Sequence, residues 1–198
     1  METVALKLPQ VQELVSVARA FCHHIDFAGK RDLFEWLRAT ARLLPRIHAS
    51  IAELGRVSDP SHTTRANWDD RFELFNKLKD FLGESDHYPL ETGEDEQDAQ
   101  AGSLAEDFTH IYFELKHGLD QCDQDPTLVE QTLNNWSEGF YLHWGWHLMD
   151  AERQLYRMCF HRPVRKRKER QFGQFRGKIH MSDDFDDALP DSFWLGEE

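Results

Sequence analysis

Cysteine, long hydrophobic runs and excess positive charge are scarce or missing in this 198-residue sequence. The three cysteines are an odd number without CxxC spacing, which argues against a disulfide framework and predicts free thiols in a reducing compartment. No apolar stretch approaches the roughly 20 residues needed to cross a bilayer. The first ten residues, METVALKLPQ, lack the basic and then apolar segments of a signal peptide. We therefore expect a cytoplasmic protein with no membrane association.

Acidic residues outnumber basic ones by 36 to 23, and the formal net charge is −13. This balance argues against sequence-independent nucleic-acid binding, because phosphate contacts need clustered lysine and arginine. Basic residues form such a cluster only in the run from Arg162 to Arg170. The sequence also has no P-loop, GxGxxG, GxSxG or HExxH motif. An enzymatic role is therefore the less favoured hypothesis.

Apolar residues recur at three-and-four spacing through most of the first 160 residues, which predicts amphipathic helices. No segment there alternates with the period of two that is typical of strands. Helices joined by short loops favour an up-and-down bundle. We expect an all-α fold, with about five helices in residues 1–160 and an extended, partly disordered docking tail in residues 161–198. The predicted helices cover residues 9–27, 32–54 and 66–82, begin again after Ser103, and run last from Pro126 to Phe160.

Local signals modify this pattern. Pro45 lies inside the second helix, where the loss of a backbone hydrogen bond predicts a kink or a split. Ser103 and Glu106 have the spacing of a capping box and predict the start of the fourth helix. The last helix is long for a globular protein, and we expect a bend near Gly139 or Gly145.

The acidic stretch of residues 83–102 is too polar to bury and is predicted to be a surface loop. The tryptophans Trp36, Trp68 and Trp136 are predicted to lie in the core. Cys22 is predicted to be a small buried hydrophobe rather than a nucleophile, since its neighbours His23 and His24 point away from it on a helix.

Two segments resemble a known family. They are GSLAEDFTHIYFELKHGL, from Gly102 to Leu119, and the segment from Trp136 to Leu155 that includes FYLHWGWHLMDAERQL. Both are similar to signatures of the DUF5063 family. The resemblance implies an all-helical fold over about residues 1–160, and it implies no activity.

Polar residues with helical spacing occur in both segments and form the candidate site. On facing helices, histidines and carboxylates at three-and-four spacing can bind zinc, iron or manganese. Histidines next to carboxylates can equally satisfy one another without metal, and a small-molecule pocket lined by Trp144 and Trp146 is a further reading. We expect no cofactor other than such a divalent metal. The candidate ligands are Asp107, His110, Glu114, His143, His147 and Asp150.

The C-terminal tail has segregated charge and scattered apolar residues. A basic run precedes it, and an acidic run follows from Asp183 to Asp191. Solvating disordered tails are poor in aromatic residues, so an apolar-studded tail is better explained as a segment that binds a protein partner. The alternation around Ile179 and Met181 suits a strand added to a partner sheet. The predicted partner-binding residues are Phe172, Phe175, Arg176, Gly177, Lys178, Ile179, Met181, Phe185, Leu189, Phe193 and Trp194.

The order FGxxRGxI, then MSDDFD, then LP and Phe193, resembles the toxin-binding C-terminus of VapB and Phd-type antitoxins over residues 170–198. In that family the tail wraps a PIN-domain ribonuclease and places a basic side chain among its metal-binding carboxylates. The resemblance implies that Arg176, and next Lys178, is the inhibitory cation. The leading hypothesis is a non-enzymatic, antitoxin-like protein of a toxin–antitoxin system. The alternatives are a metal-binding or hydrolytic bundle and a ligand-binding or scaffold bundle.

Overall fold

The computed structural model describes residues 9–55, 68–90 and 101–161, and a few positions of the C-terminal segment: 176, 177, 182, 185–187 and 194. The chain divides into two units, Met1–His161 and Arg162–Glu198. The described residues of the first unit form an all-α bundle, which confirms the predicted fold class. Its helices are α1 (Pro9–Asp26), α2 (Leu33–Leu54), α3 (Trp68–Leu82), α4 (Leu104–Gln124), α5 (Val129–Gly139) and α6 (Gly145–Cys159). These six helices make five rods because α5 and α6 are joined end to end by a π turn.

Helix α4 lies at the centre of this bundle. It packs against α1, α3, α5 and α6, while α2 packs against α1 and α6. The close approach of α4 and α5 depends on Gly118, because a Cβ at this position would collide with Thr132 and Trp136. The Trp136 indole N–H donates to the Glu114 carbonyl across the same contact, at 3.0 Å. The core therefore holds α4 firmly between its neighbours.

Capping residues set the starts of two helices. The Asp32 carboxylate accepts from the backbone N–H groups of Phe34 and Glu35 and begins α2. The Ser103 hydroxyl accepts from the N–H of Glu106 at 3.2 Å and begins α4, as the capping pattern predicts. Every carboxylate or hydroxyl of this kind satisfies N–H groups that have no partner inside the helix.

The stretch predicted as a surface loop contains two short antiparallel strands. A 3₁₀ turn at Gly83–Ser85 leads into β1 (His87–Pro89), which pairs with β2 (Ala101–Ser103). Asp86 is fully buried, contrary to the expectation for a polar loop. Its carboxylate accepts from the Ser103 hydroxyl and from the N–H of Ala105 at 2.7 Å, so hydrogen bonds offset the cost of burial.

Of the kink or split predicted at Pro45, the split does not occur. Helix α2 is one continuous helix through the proline, because Leu44, Ile47 and Ile51 bury completely around it and outweigh one lost hydrogen bond. One further expectation was wrong. Trp68 is 76% exposed rather than in the core. Trp36 and Trp136 are buried as predicted, and so is Cys22, where burial raises the pKa of the thiol to about 12.

The last helical rod changes geometry between two glycines. Residues Phe140–Trp144 form a π-helical turn that separates α5, ending at Gly139, from α6, starting at Gly145. The N–H of Gly145 donates to the carbonyl of Phe140, five residues before it. A Cβ at position 145 would collide with that carbonyl oxygen. The π turn therefore interrupts the regular α-helix in the region where the sequence predicts a bend.

In the second unit, Arg176 and Gly177 form an exposed turn, with a φ of 75° at Gly177. A second turn follows, in which the N–H of Phe185 donates to the carbonyl of Ser182 at 3.0 Å. Phe185 is 66% exposed and Trp194 is 72% exposed. The other predicted partner-binding residues and the basic run lie outside the described residues: Phe172, Phe175, Lys178, Ile179, Met181, Leu189, Phe193 and the segment 162–170.

Candidate metal centre

Helix α4 presents three polar side chains on the face that meets α6. Asp107, His110 and Glu114 follow one another at helical spacing, so they lie on the same side of the helix. Asp107 is only 4% exposed and Glu114 only 6% exposed. Two carboxylates this deeply buried require compensating partners, and the opposite helix supplies several of them.

The π turn and the start of α6 supply the facing histidines. His143 lies within the π turn, and His147 lies in the first turn of α6. A π turn carries more residues per turn than an α-helix, so it changes the direction of every side chain that follows. The glycine at position 145 that permits this turn therefore takes part in aiming both imidazoles at α4.

Three imidazole rings meet at this face. His110 stacks parallel to His147, with 4.2 Å between ring centroids and 2° between planes. The His143 ring stands edge-on to both, at 4.7 Å from His110 and 5.3 Å from His147. One nitrogen from each ring falls within 4.8 Å of the other two. The His143 side chain is 44% exposed and the His147 side chain 22% exposed, so the cluster is open to solvent on one side.

The buried carboxylate of Asp107 fixes the orientation of one ring. The His147 Nδ1 lies 2.9 Å from Asp107 Oδ1, where the carboxylate accepts its N–H, so Nε2 is the ring nitrogen that faces away from Asp107. The Tyr88 hydroxyl donates to the other oxygen of Asp107. The Tyr88 ring packs directly on Gly102, where a side chain would collide with it. The hairpin of β1 and β2 thus delivers a tyrosine to the site.

A buried arginine lies on the other side of the cluster. The Arg71 side chain is 11% exposed and its Nη2 is 3.9 Å from Glu114 Oε1. Its Nη1 lies 3.5 Å from His110 Nδ1, and its guanidinium lies over the Phe113 ring. His143 Nδ1 is also 3.9 Å from Glu114 Oε1. Glu114 therefore faces both a fixed positive charge and an imidazole.

The electrostatics of the face favour the neutral form of His110. Burial, together with the neighbouring His147, His143 and Arg71, lowers the pKa of His110 to about 3. His110 is therefore unprotonated at neutral pH, which is the form that binds metals. Burial raises the pKa of Asp107, and the hydrogen bonds from His147 and Tyr88 oppose that effect.

The six predicted ligands do not all lie in the cluster. The three histidines converge, Asp107 bonds to His147, and Glu114 lies near His143. Asp150 instead accepts from Arg153 at 3.1 Å and does not belong to the cluster of ligand atoms.

The small-molecule pocket suggested by two tryptophans does not form as expected. Trp144 is fully buried in the core, whereas Trp146 is 67% exposed. Sequence reasoning missed Arg71 and Tyr88. The only available signal for Tyr88 was an aromatic residue in a stretch that is otherwise strongly polar, and Arg71 had no signal in the sequence.

These features define an all-helical bundle with a histidine cluster on the inner face of its central helix. The chain belongs to the DUF5063 family, described as a domain of unknown function, whose profile matches residues 7–161. The fold is similar to the crystal structure of protein BF1032 from Bacteroides fragilis, with a TM-score of 0.66 and 23% identity, covering 81% of this chain and 99% of that chain. No curated protein matches the sequence. Among the described residues, no helix has the length and apolar character required to traverse a membrane.

Proposed function

We propose that this bundle binds a divalent transition-metal ion through His110, His143 and His147. The observation that carries the proposal is the convergence of three imidazole nitrogens within 4.8 Å on one solvent-accessible face. Imidazole suits zinc, copper, nickel and iron better than magnesium or calcium, which prefer oxygen ligands. Zinc or a metal of similar preference is therefore the expected occupant.

The residues around the rings support this donor set. His110 is a neutral imidazole at neutral pH, so one of its two ring nitrogens has a lone pair available to a metal. The bond from His147 to Asp107 is the carboxylate–histidine contact that orients ligating imidazoles and makes them more basic. Asp107 and Glu114 together offer two negative charges against the single positive charge of Arg71. The local balance therefore favours a cation.

Binding requires a local rearrangement. In a tetrahedral site with metal–nitrogen bonds of about 2.0–2.1 Å, ligand nitrogens lie about 3.3 Å apart, closer than the 4.8 Å limit of this cluster. The parallel stack of His110 and His147 also aims their lone pairs side by side rather than at one point. We therefore expect at least one ring to rotate when the metal binds, and His143, the most exposed of the three, can close the site.

Three protein ligands leave a fourth position for water. Zinc sites with three imidazoles and one open position lower the pKa of the bound water to near 7. The His143 side chain is 44% exposed, so water could reach a metal held by the three histidines. If the site binds a metal in this way, it could also catalyse hydrolysis. Metal binding is therefore the property to test first.

The test uses the full-length, untagged protein after chelator treatment. Titration with Zn²⁺ by calorimetry, and with Co²⁺ by visible absorption, should give one ion per chain and the intense d–d bands of tetrahedral cobalt. A His110→Ala/His143→Ala/His147→Ala variant should lose both signals. The matched control is His23→Ala/His117→Ala, which removes histidines outside the cluster. Equal binding by wild type and the triple variant, or no binding at all, contradicts the proposal.

We also propose, as a separate role for the C-terminal tail, that it binds and inhibits a PIN-type ribonuclease in the manner of an antitoxin. The motifs FGxxRGxI, MSDDFD and LP follow one another along the sequence in the same order as in those antitoxins, which supports this proposal. The exposed Arg176–Gly177 turn is consistent with it, since a glycine at positive φ allows close approach of a partner backbone.

Neutralisation of a co-encoded nuclease tests the tail. Arg176→Ala/Lys178→Ala should abolish inhibition, whereas Lys166→Ala/Arg167→Ala in the basic run removes the same charge and should not. Undiminished inhibition by the first variant removes the mechanism. Failure of both this test and the metal titration would leave a scaffold or ligand-binding bundle.

A further inference from the structure

Helix α3 begins with aromatic side chains that the core does not cover. Trp68 is 76% exposed and Phe72 is 66% exposed, and Phe75 follows as a half-buried residue. Steps of four and three residues separate these positions, so the three rings share one face of the helix. Scattered exposed apolar residues are normal on a protein surface, whereas neighbouring ones form a patch that can bind a ligand or a partner.

The three rings line a cavity between α3 and α4 with a volume of about 330 Å³. This volume lies at the lower end of the range of about 300–1,000 Å³ found for small-molecule sites. Helix α4 supplies Glu106, Thr109 and His110 to the lining, and α3 adds Arg71. An apolar wall opposite a few polar groups is typical of a site for a small ligand.

His110 joins this cavity to the proposed metal centre. Its ring stacks on His147 and stands edge-on to His143, and the same side chain forms part of the cavity lining. A ligand held in the cavity therefore lies next to the histidine cluster.

The charge that suits a ligand of this cavity depends on the metal. In the metal-free protein the buried carboxylates of Asp107 and Glu114 outnumber the guanidinium of Arg71. A divalent ion adds two positive charges and leaves these groups with a net positive charge. Glu106 is exposed, so solvent screens its charge. The metal-loaded site therefore favours a ligand with a single negative charge.

Arg71 is the cavity residue suited to receive that charge. Its Nη2 lies 3.9 Å from Glu114 Oε1, and its Nη1 lies 3.5 Å from His110 Nδ1. Both distances exceed those of a good hydrogen bond, so a ligand can offer closer acceptors. A guanidinium binds a carboxylate through two N–H groups at once.

Given the metal centre proposed above, on which this inference rests, we propose that the cavity binds a small aromatic carboxylate. The ring of the ligand packs against Trp68 and Phe72, and its carboxylate is shared by Arg71 and the metal ion. Aromatic rings pack edge-to-face or offset, which adds to the gain from buried apolar area. The carboxylate takes the fourth coordination position that three histidine ligands leave open.

Titration of the Co²⁺-loaded, full-length protein with benzoate tests this proposal. Benzoate should change the d–d bands and bind with a dissociation constant below about 1 mM. Cyclohexanecarboxylate has a similar size and the same charge but no aromatic ring, and it should bind about three- to tenfold more weakly. The metal-free protein, followed by calorimetry, should bind benzoate at least about tenfold more weakly. Equal affinities in either comparison overturn the proposal.

Removal of one aromatic ring tests the location of the ligand. Phe72→Ala should weaken benzoate binding by about threefold or more and leave Co²⁺ affinity unchanged. The matched control is Phe34→Ala on α2, where the ring is 47% exposed and the Arg38 guanidinium lies 4.5 Å from its centroid. This aromatic–arginine pair does not line the cavity, and its loss should not affect benzoate. Equal effects of the two variants overturn the location.

Arg71→Met tests the carboxylate contact. It should weaken benzoate binding by at least about tenfold without weakening Co²⁺ binding, and undiminished benzoate affinity overturns the contact. The Co²⁺ titration separates this proposal from the metal site itself. If wild type binds no Co²⁺, both proposals are wrong. If it binds Co²⁺ but not benzoate, only the aromatic carboxylate is wrong.

Discussion

His24 and His110 each lie half-buried against another flat ring, and burial lowers the pKa of both imidazoles. His24 stacks on Trp36, and its Nε2 lies 3.2 Å from the Trp36 carbonyl and 3.0 Å from the Thr40 hydroxyl. His110 stacks on another imidazole and lies next to a third. Backbone and hydroxyl oxygens satisfy a histidine as a structural residue. A histidine that lies next to other histidines instead brings several ring nitrogens close together. A metal ion is a partner that all of these nitrogens can bind at once.

The largest contrast should appear when a histidine of the cluster, His147, and the structural histidine, His24, are removed in turn. His147→Ala should lower zinc affinity by at least about 100-fold, because it removes a ligand together with its oriented Asp107 contact. His24→Ala should leave zinc affinity unchanged and lower the free energy of unfolding by about 1–2 kcal/mol through its lost packing and hydrogen bonds. Calorimetric titration and urea denaturation measure the two effects. A loss of zinc binding in His24→Ala would mean that the two sites are not independent.

The next effect concerns the carboxylate behind the ring. Asp107→Asn should reduce zinc affinity by about 10- to 100-fold, because the amide orients His147 poorly and lowers its basicity. Asp26→Asn is the matched control, since the Asp26 carboxylate also accepts from a tyrosine hydroxyl, that of Tyr112 at 2.7 Å, but contacts no imidazole of the cluster. Equal zinc affinity in both variants would show that Asp107 is only structural.

Replacing Arg71 should change zinc affinity less than the preceding variants, and it should raise the affinity rather than lower it. Its charge lies 3.5 Å from His110 Nδ1 and opposes a bound cation. Arg71→Met keeps most of the buried stem and should raise zinc affinity by about three- to tenfold, a Coulomb effect reduced by the high effective dielectric near the surface. Arg46→Met, which removes an exposed arginine paired with Glu13 at 2.6 Å, should not change it. A weaker site in Arg71→Met would mean that Arg71 positions His110 rather than repelling the metal.

A last effect concerns the pH dependence of stability in the metal-free protein. The pKa of His110 is about 3 in the folded chain and about 6.5 in an unfolded one. Between these values the unfolded chain binds more protons, so the free energy of unfolding falls as the pH drops from about 6.5 toward 3. His110→Gln should lose less stability than wild type between about pH 7 and 4.5. Urea midpoints measure the difference, and parallel curves for the two proteins would refute the assignment.

The helices were predictable because their signals are local. Apolar spacing, the cap at Ser103 and the glycines at 139 and 145 each act within one or two turns. The strands β1 and β2 were not predictable, since the burial of Asp86 depends on donors 17 and 19 residues away. The exposure of Trp68 likewise depends on which face of α3 packs against the bundle, and the sequence of α3 alone does not show this.

Helical spacing is enough to show that α4 and α6 each carry a polar stripe in an otherwise apolar bundle, because it places those side chains on one face. Which members of the two stripes meet depends on how the elements pack together. The π turn rotates His143 and His147 toward His110, the β hairpin brings Tyr88 to Asp107, and α3 adds Arg71. Asp150 has the same spacing but bonds to Arg153 instead. Periodicity specifies the face of a helix, whereas the neighbour of each side chain is set by packing between segments far apart in the chain.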